Sequence, residues 1–327
     1  MSQSAAVRPD PTFFRKAAIV RGAAVDHAGH ARTRPMPGFD LDRTIFKTLE
    51  SPLARFVMAR RLALDVFWED AAARRIQSAY DASAGDHPLP PISEPLVAFL
   101  LERCDFDVEH ADGSFLDHLY FCFEYAVRHY PQRSALVMFL HSILGTGTNT
   151  FAMPATEIDT LRGLIPAFDF RHIEAFPSVL RLLYTDLLDR LDAEAARLDQ
   201  LASIRMHRVI DNAPITLSAE DLWIALNYQL MHLIDFLPVA DWSRNANDTN
   251  LILFRRLHAF LTRHGHLEAH VDHAPAQAAA EAPPPSAAHW VIARIPESVS
   301  WSMAQKSVAR FSSAIGHALS YELAWRV

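Results

Sequence analysis

Two histidines, His118 and His141, have the type and spacing to do chemistry together. Phe115 to Val127 reads as one helix and about Gln132 to Leu144 as the next, with Pro131 between them. In an antiparallel pair joined by a tight turn, a position early in the first helix and one late in the second share an end of the hairpin. Neutral imidazole is the commonest side-chain ligand for transition ions, so the chemistry to expect is two nitrogens on one cation. The Gly145-Thr-Gly-Thr-Asn-Thr150 loop that follows offers backbone N–H groups and hydroxyls to an anion. Gly145 and Thr146 are its candidate substrate contacts, with Arg133 or Arg162 to assist. The loop lacks the lysine and the preceding strand of a phosphate loop, and a helix C-cap with glycine in the left-handed region is the plainer account.

The other reactive residue types sort into bland settings. His264, His266, His270 and His273 fall where an alanine- and proline-rich tract begins and read as exposed linker histidines. Asp186, Asp189, Asp192 and Glu194 alternate with Arg181, Arg190 and Arg197 and read as a solvated, ion-paired helix face. Cys104 ends a helix beside Arg103, and Cys122 sits mid-helix among aromatics, so packing explains both. A nucleophile elbow needs Gly-x-Ser-x-Gly between a strand and a helix, and the chain has no such motif.

The elements that must hold the histidines are helical by pattern. Residues 1–39 carry Pro9, Pro11, Pro35 and Pro37 without sustained period and read as an extended N-terminal arm. A helical segment spans 40–92, with Ser51-Pro52 as N-cap and first helical residue of a helix over about 52–82. The main helical domain covers 93–263, with helices after Ser93, Ser114, Pro154, Pro177 and Ser218 and a last one over about 250–263. Residues 264–288 form the Ala/His/Pro-rich linker, and 289–327, with Trp290, Trp301 and Trp325, a C-terminal helical tail that folds back onto the body. The fold class expected is all-α.

Composition agrees and excludes several functions. Half of the 327 residues are hydrophobic and 21 % are charged, enough apolar surface for a large core. With 10 glycines against 20 prolines there is little of the positive-φ capacity that hairpins and dinucleotide loops use. A net charge of −7 with no basic stripe argues against nucleic acid. The longest apolar run, Ser134 to Leu144, is about half the roughly 20 residues of a membrane span, and no leader pattern opens the chain. Two cysteines cannot build a disulfide framework, so a cytoplasmic protein is expected.

The order of these residues resembles the HD superfamily of metal-dependent hydrolases, and more closely an HD-like family in which the paired residues read His-Ser with Gly-Thr after them. His110, His118, His141, Ser142 and Gly145-Thr146 carry the resemblance, over about Val97 to Ile165 with a weaker echo at 218–238. The resemblance implies an HD-like helical bundle and one divalent ion, Zn, Mn, Fe or Co. His118, His141 and either His232 or Asp235 would hold it; the last two share a helix face at i, i+3. His110 would be a fourth ligand or a general acid–base, and His110 and Ser142 are the catalytic candidates. HD enzymes place a ligating aspartate where this chain has Ser142, and a neutral hydroxyl does not supply the charge a metal pair needs. The expected activity is therefore mononuclear hydrolysis of a small anionic or phosphorylated metabolite. Two alternatives remain: a non-catalytic HD-like scaffold that binds a small ligand, or a partner through its C-terminal segment, and an iron-dependent HD-like oxygenase.

Overall fold

The structure, a computed structural model of the chain, describes residues 41–64, 87–106, 115–234, 246–271 and 287–326. The arm over 1–39, the second half of the helix read over 52–82, His110, Asp112 to Ser114, Asp235, His273 and Pro283 to Pro285 lie outside the described residues. Helices dominate: α1 (Pro52–Leu64), α2 (Glu94–Arg103), α3 (Phe115–His129), α4 (Leu136–Leu140), α5 (Ile158–Leu164), α6 (Ala167–Leu183), α7 (Leu187–Ala193), α8 (Ala219–Ile234), α9 (Thr249–Arg263), α10 (Ala287–Ile292) and α11 (Glu297–Ala314). Among the described residues no helix is long and apolar enough to cross a membrane.

The organising element is α8. Every residue in it except Glu220 is buried, so protein surrounds the helix on all sides and its polar residues Asp221, Asn227, Gln229 and His232 are enclosed with the apolar ones. It packs against α3, α6 and α9 and against two strands. Its start is the one read from sequence: the Ser218 hydroxyl accepts from the Asp221 N–H at 3.0 Å. Ser51 caps α1 in the same way, accepting from Ala54 N–H at 3.3 Å. Pro177, expected from sequence to precede a new helix, instead sits inside α6, where its ring removes one backbone donor. Gln229 of α8 donates to the Phe176 carbonyl beside it at 2.8 Å, joining the two helices at that point.

The expectation of an all-α chain is corrected by a three-stranded antiparallel sheet in the order β2-β1-β3. Strand β1 (Leu201–His207) pairs with β2 (Pro214–Ser218) through Ile204 opposite Leu217 and Met206 opposite Ile215. Strand β3 (Glu322–Trp325) comes from the C-terminal segment and pairs with the other edge of β1 through Leu201 opposite Trp325 and Ile204 opposite Leu323. The stripe Leu180, Leu183, Tyr184, Leu187, Leu191, Leu198, Leu201, which reads as one long helix, is instead divided: α6 ends at Leu183, α7 runs only to Ala193, and Leu201 belongs to a strand. The hairpin is built without glycine, because Asn212 takes φ 57° in its turn and a short amide side chain tolerates that region.

The tail is likewise not wholly helical, since β3 closes it. It folds back as expected. Asn149 Nδ2 donates to Phe311 O at 2.8 Å, and Arg197 lies over the Trp325 ring at 4.2 Å. The reading of exposed linker histidines is corrected for the start of that tract, because residues 264–271 pack on the body: the His266 ring stacks on Trp223 at 4.1 Å, His264 meets Asp192 at 2.9 Å and Ala269 is buried.

Candidate metal centre and adjoining chamber

His118 enters from the first turn of α3, His141 from the residue after α4, and His232 from the last turn of α8. The helix–turn–helix connection at Pro131 does bring the first two together. Their Nε2 atoms lie 2.9 Å apart. His232 completes the set, with ring centroids 5.1 Å from His118 and 4.7 Å from His141. One ligand nitrogen from each of the three lies within 4.8 Å of the others, close enough to hold a metal ion. All three side chains are buried. Phe176 packs on His141 and His232, at 4.6 and 5.2 Å between centroids, and supplies an apolar wall.

The hydrogen-bond partners decide where the lone pairs point. His141 Nδ1 is 2.6 Å from the Met138 carbonyl, which can only accept, so Nδ1 carries the hydrogen and Nε2 presents its lone pair. An imidazole anchored through one nitrogen to a carbonyl is the usual support of a metal ligand. His118 Nδ1 has Cys122 Sγ at 3.9 Å. With the hydrogen on Nδ1, His118 offers a second lone pair opposite that of His141; with the hydrogen on Nε2, it donates to His141 instead. Burial holds the His141 and His232 imidazoles well below the usual value, and neighbouring imidazoles push the same way. At neutral pH both are therefore uncharged and able to bind a cation. Two nitrogens 2.9 Å apart match adjacent ligands on an ion with bonds of about 2.0–2.1 Å, and His232 stands on the third side with a ligand nitrogen within 4.8 Å of theirs.

A chamber of about 210 Å³ adjoins the centre, and His232, Ser142 and Gly145 are in its wall. The Gly145 to Thr150 loop is a closed turn and not an open phosphate cradle. Thr146 N–H donates to Thr150 O at 2.9 Å, and Thr146 Oγ1 accepts from the N–H groups of Thr148 and Thr150 at 3.2 and 3.0 Å. Gly145 is required, at φ 130° and with Phe151 Cε1 only 2.9 Å from where a Cβ would stand.

Compared with known proteins, the chain matches no family model, no curated protein and no solved structure. The functional argument therefore rests on this geometry.

Arg133 and Arg162 are not brought to the chamber. Arg133 is engaged by Glu268, at 3.2 Å from NH2, and Arg162 pairs with Asp159 and lies over the Phe170 ring. The arginine that does line it is Arg181, which the sequence reading assigns to a solvated face; that assignment is corrected, because Arg181 is fully buried on α6. Its terminal nitrogens donate to Ser312 Oγ at 3.1 Å, Thr146 O at 3.1 Å and Asn149 Oδ1 at 2.6 Å. The one local hint is that Val179, Leu180, Leu182 and Leu183 around it are apolar on every side of the helix, while the partners that bury it are distant in sequence.

Proposed function

We propose that the chain is an HD-like, metal-dependent enzyme that binds one divalent ion, Zn, Mn, Fe or Co, and hydrolyses a small anionic metabolite. The observation that carries the reading is the meeting of three buried histidines from three separate helical elements, with the His141 lone pair set by Met138. The HD-like part rests on the order His118, His141-Ser142 and a histidine on a later helix. An ion held there supplies Lewis acidity and, by lowering the pKa of a water, a nucleophile near neutral pH.

The side chains divide the remaining work. His118 and His141 hold the buried side of the centre, and His232 brings it to the chamber wall. Ser142, also in that wall, offers a hydroxyl to the substrate without adding charge. Three neutral imidazoles leave a divalent charge uncompensated, which favours an anionic substrate over a neutral one.

Metal analysis of untagged protein after reconstitution tests this. About one equivalent of a first-row transition ion or zinc in the wild type, lost in His141→Ala, is expected. No stoichiometric ion in either would overturn it.

A second reading, a ligand-binding protein without catalysis, is favoured by one contact. At 2.9 Å the His118 and His141 nitrogens are also at hydrogen-bonding distance, so the pair can satisfy itself as part of the core. Protein that takes up no ion on reconstitution, yet binds a ligand in the chamber, would establish it.

A further inference from the structure

The wall of the chamber beside His232 is mostly apolar, built from side chains such as Phe46, Leu180, Met303, Val308 and Phe311. A compact phosphorylated metabolite does not match such a surface. An apolar cavity of about 150 Å³ accommodates a benzene ring, so about 210 Å³ suits a body of somewhat greater size.

Against this wall stands one buried cation. Arg181 has no carboxylate partner among the described residues; its three acceptors are a carbonyl, an amide oxygen and a hydroxyl, and its Nε has no acceptor. Asp248, the acidic residue in the chamber wall, is committed as the cap of α9, accepting from Asn250 and Leu251 N–H groups at 2.9 and 3.2 Å. A guanidinium out of water with only neutral partners is costly, and an anion placed in the adjoining cavity relieves that cost. Burial alone lowers Arg181 to about 10, still leaving it charged at neutral pH.

We propose that the chamber binds a small amphipathic carboxylic acid, its carboxylate drawn to the Arg181 end and its apolar body laid along the Leu180, Val308 and Phe311 wall. One negative charge balances one buried guanidinium, whereas a phosphate dianion would bring an excess charge beside Asp248. That such an acid is the substrate rests on the metal-dependent reading above; that it binds does not, because Arg181 and the apolar wall need no ion.

Calorimetric titration of the full chain with octanoate, 1-octanol, octylamine and inorganic phosphate separates the terms. Octanoate should bind at least tenfold more tightly than 1-octanol, and octylamine and phosphate should show no binding. In Arg181→Met the preference of octanoate over 1-octanol should fall to within about twofold, and in Ala304→Phe, which fills the chamber, both should weaken at least tenfold. Chelator-treated protein and His141→Ala should keep the octanoate preference, so the inference can stand where the metal reading fails. Equal binding of octanoate and 1-octanol by the wild type overturns it even if the Arg181 variant does not fold. So does octanoate binding that disappears on chelation while Arg181→Met leaves it intact, since the carboxylate would then sit on the ion.

Discussion

His118 Nε2 stands 2.9 Å from His141 Nε2, and each ring is steadied from behind, His141 by the Met138 carbonyl and His118 by Cys122 Sγ. The two supports differ in strength. A carbonyl is a good acceptor at 2.6 Å, while a thiol sulfur at 3.9 Å is weak, so His118 is the ring whose hydrogen can change nitrogen more easily.

That difference makes Cys122 a positioning residue with a measurable effect. Replacing it, Cys122→Ala, should weaken ion affinity by no more than about tenfold, the low end of what a lost outer partner costs, while the helical circular dichroism is unchanged. Competition with a chromophoric chelator reads the affinity. An unchanged value would show that the sulfur does not orient His118.

Acid sensitivity should be traceable to Asp221. His172, with Nε2 3.3 Å from Oδ1, the Ser218 hydroxyl and Arg171 hold its carboxyl well below the usual carboxylate range. A depressed carboxyl means that the unfolded chain takes up the proton first. Its contribution is present above about pH 4, the unfolded value, and is lost as pH falls through the lower folded value. Asp221→Asn should cost about 1–3 kcal/mol at pH 7 and flatten the fall in stability below pH 4. Denaturant melts across pH 2–7 give both numbers. A variant with the wild-type acid slope would remove Asp221 from the account.

Gly145→Ala tests the turn next to the centre. The backbone there has φ 130° and the Phe151 ring occupies the space a methyl would need. The substitution should cost about 1–3 kcal/mol in equilibrium unfolding, since both the backbone and the ring must yield. Gly163→Ala, in α5 with nothing within 4 Å of the added methyl, should be neutral or slightly stabilising in the same assay.

What the sequence shows of this molecule follows how local each feature is. His118 and His141 are legible because one sits on α3 and the other directly follows the short apolar helix α4, patterns read within a few residues, and a proline marks the turn between them. His232 is legible as a position on a later helix, although the leucine stripe gives no sign that all sides of α8 are covered. The strands are hidden because Leu198 and Leu201 continue the helical leucine spacing and because Asn212 replaces the glycine that would announce a hairpin. Arg181 is hidden for another reason. Its neighbours Thr146, Asn149 and Ser312 are distant in sequence, and whether a charge is solvated is decided by what folds over it.

The histidines span residues 118 to 232, but the chamber wall runs from Ile45 to Phe311. The centre and the chamber are therefore assembled over different lengths of chain. The centre can close as soon as α3, α4 and α8 have met, whereas the chamber waits for contacts between segments more than two hundred residues apart, which carry the larger loop-closure entropy. A ligand held in it ties Ile45 and Phe46 to α11, so resistance of those two segments to protease would rise together with occupancy.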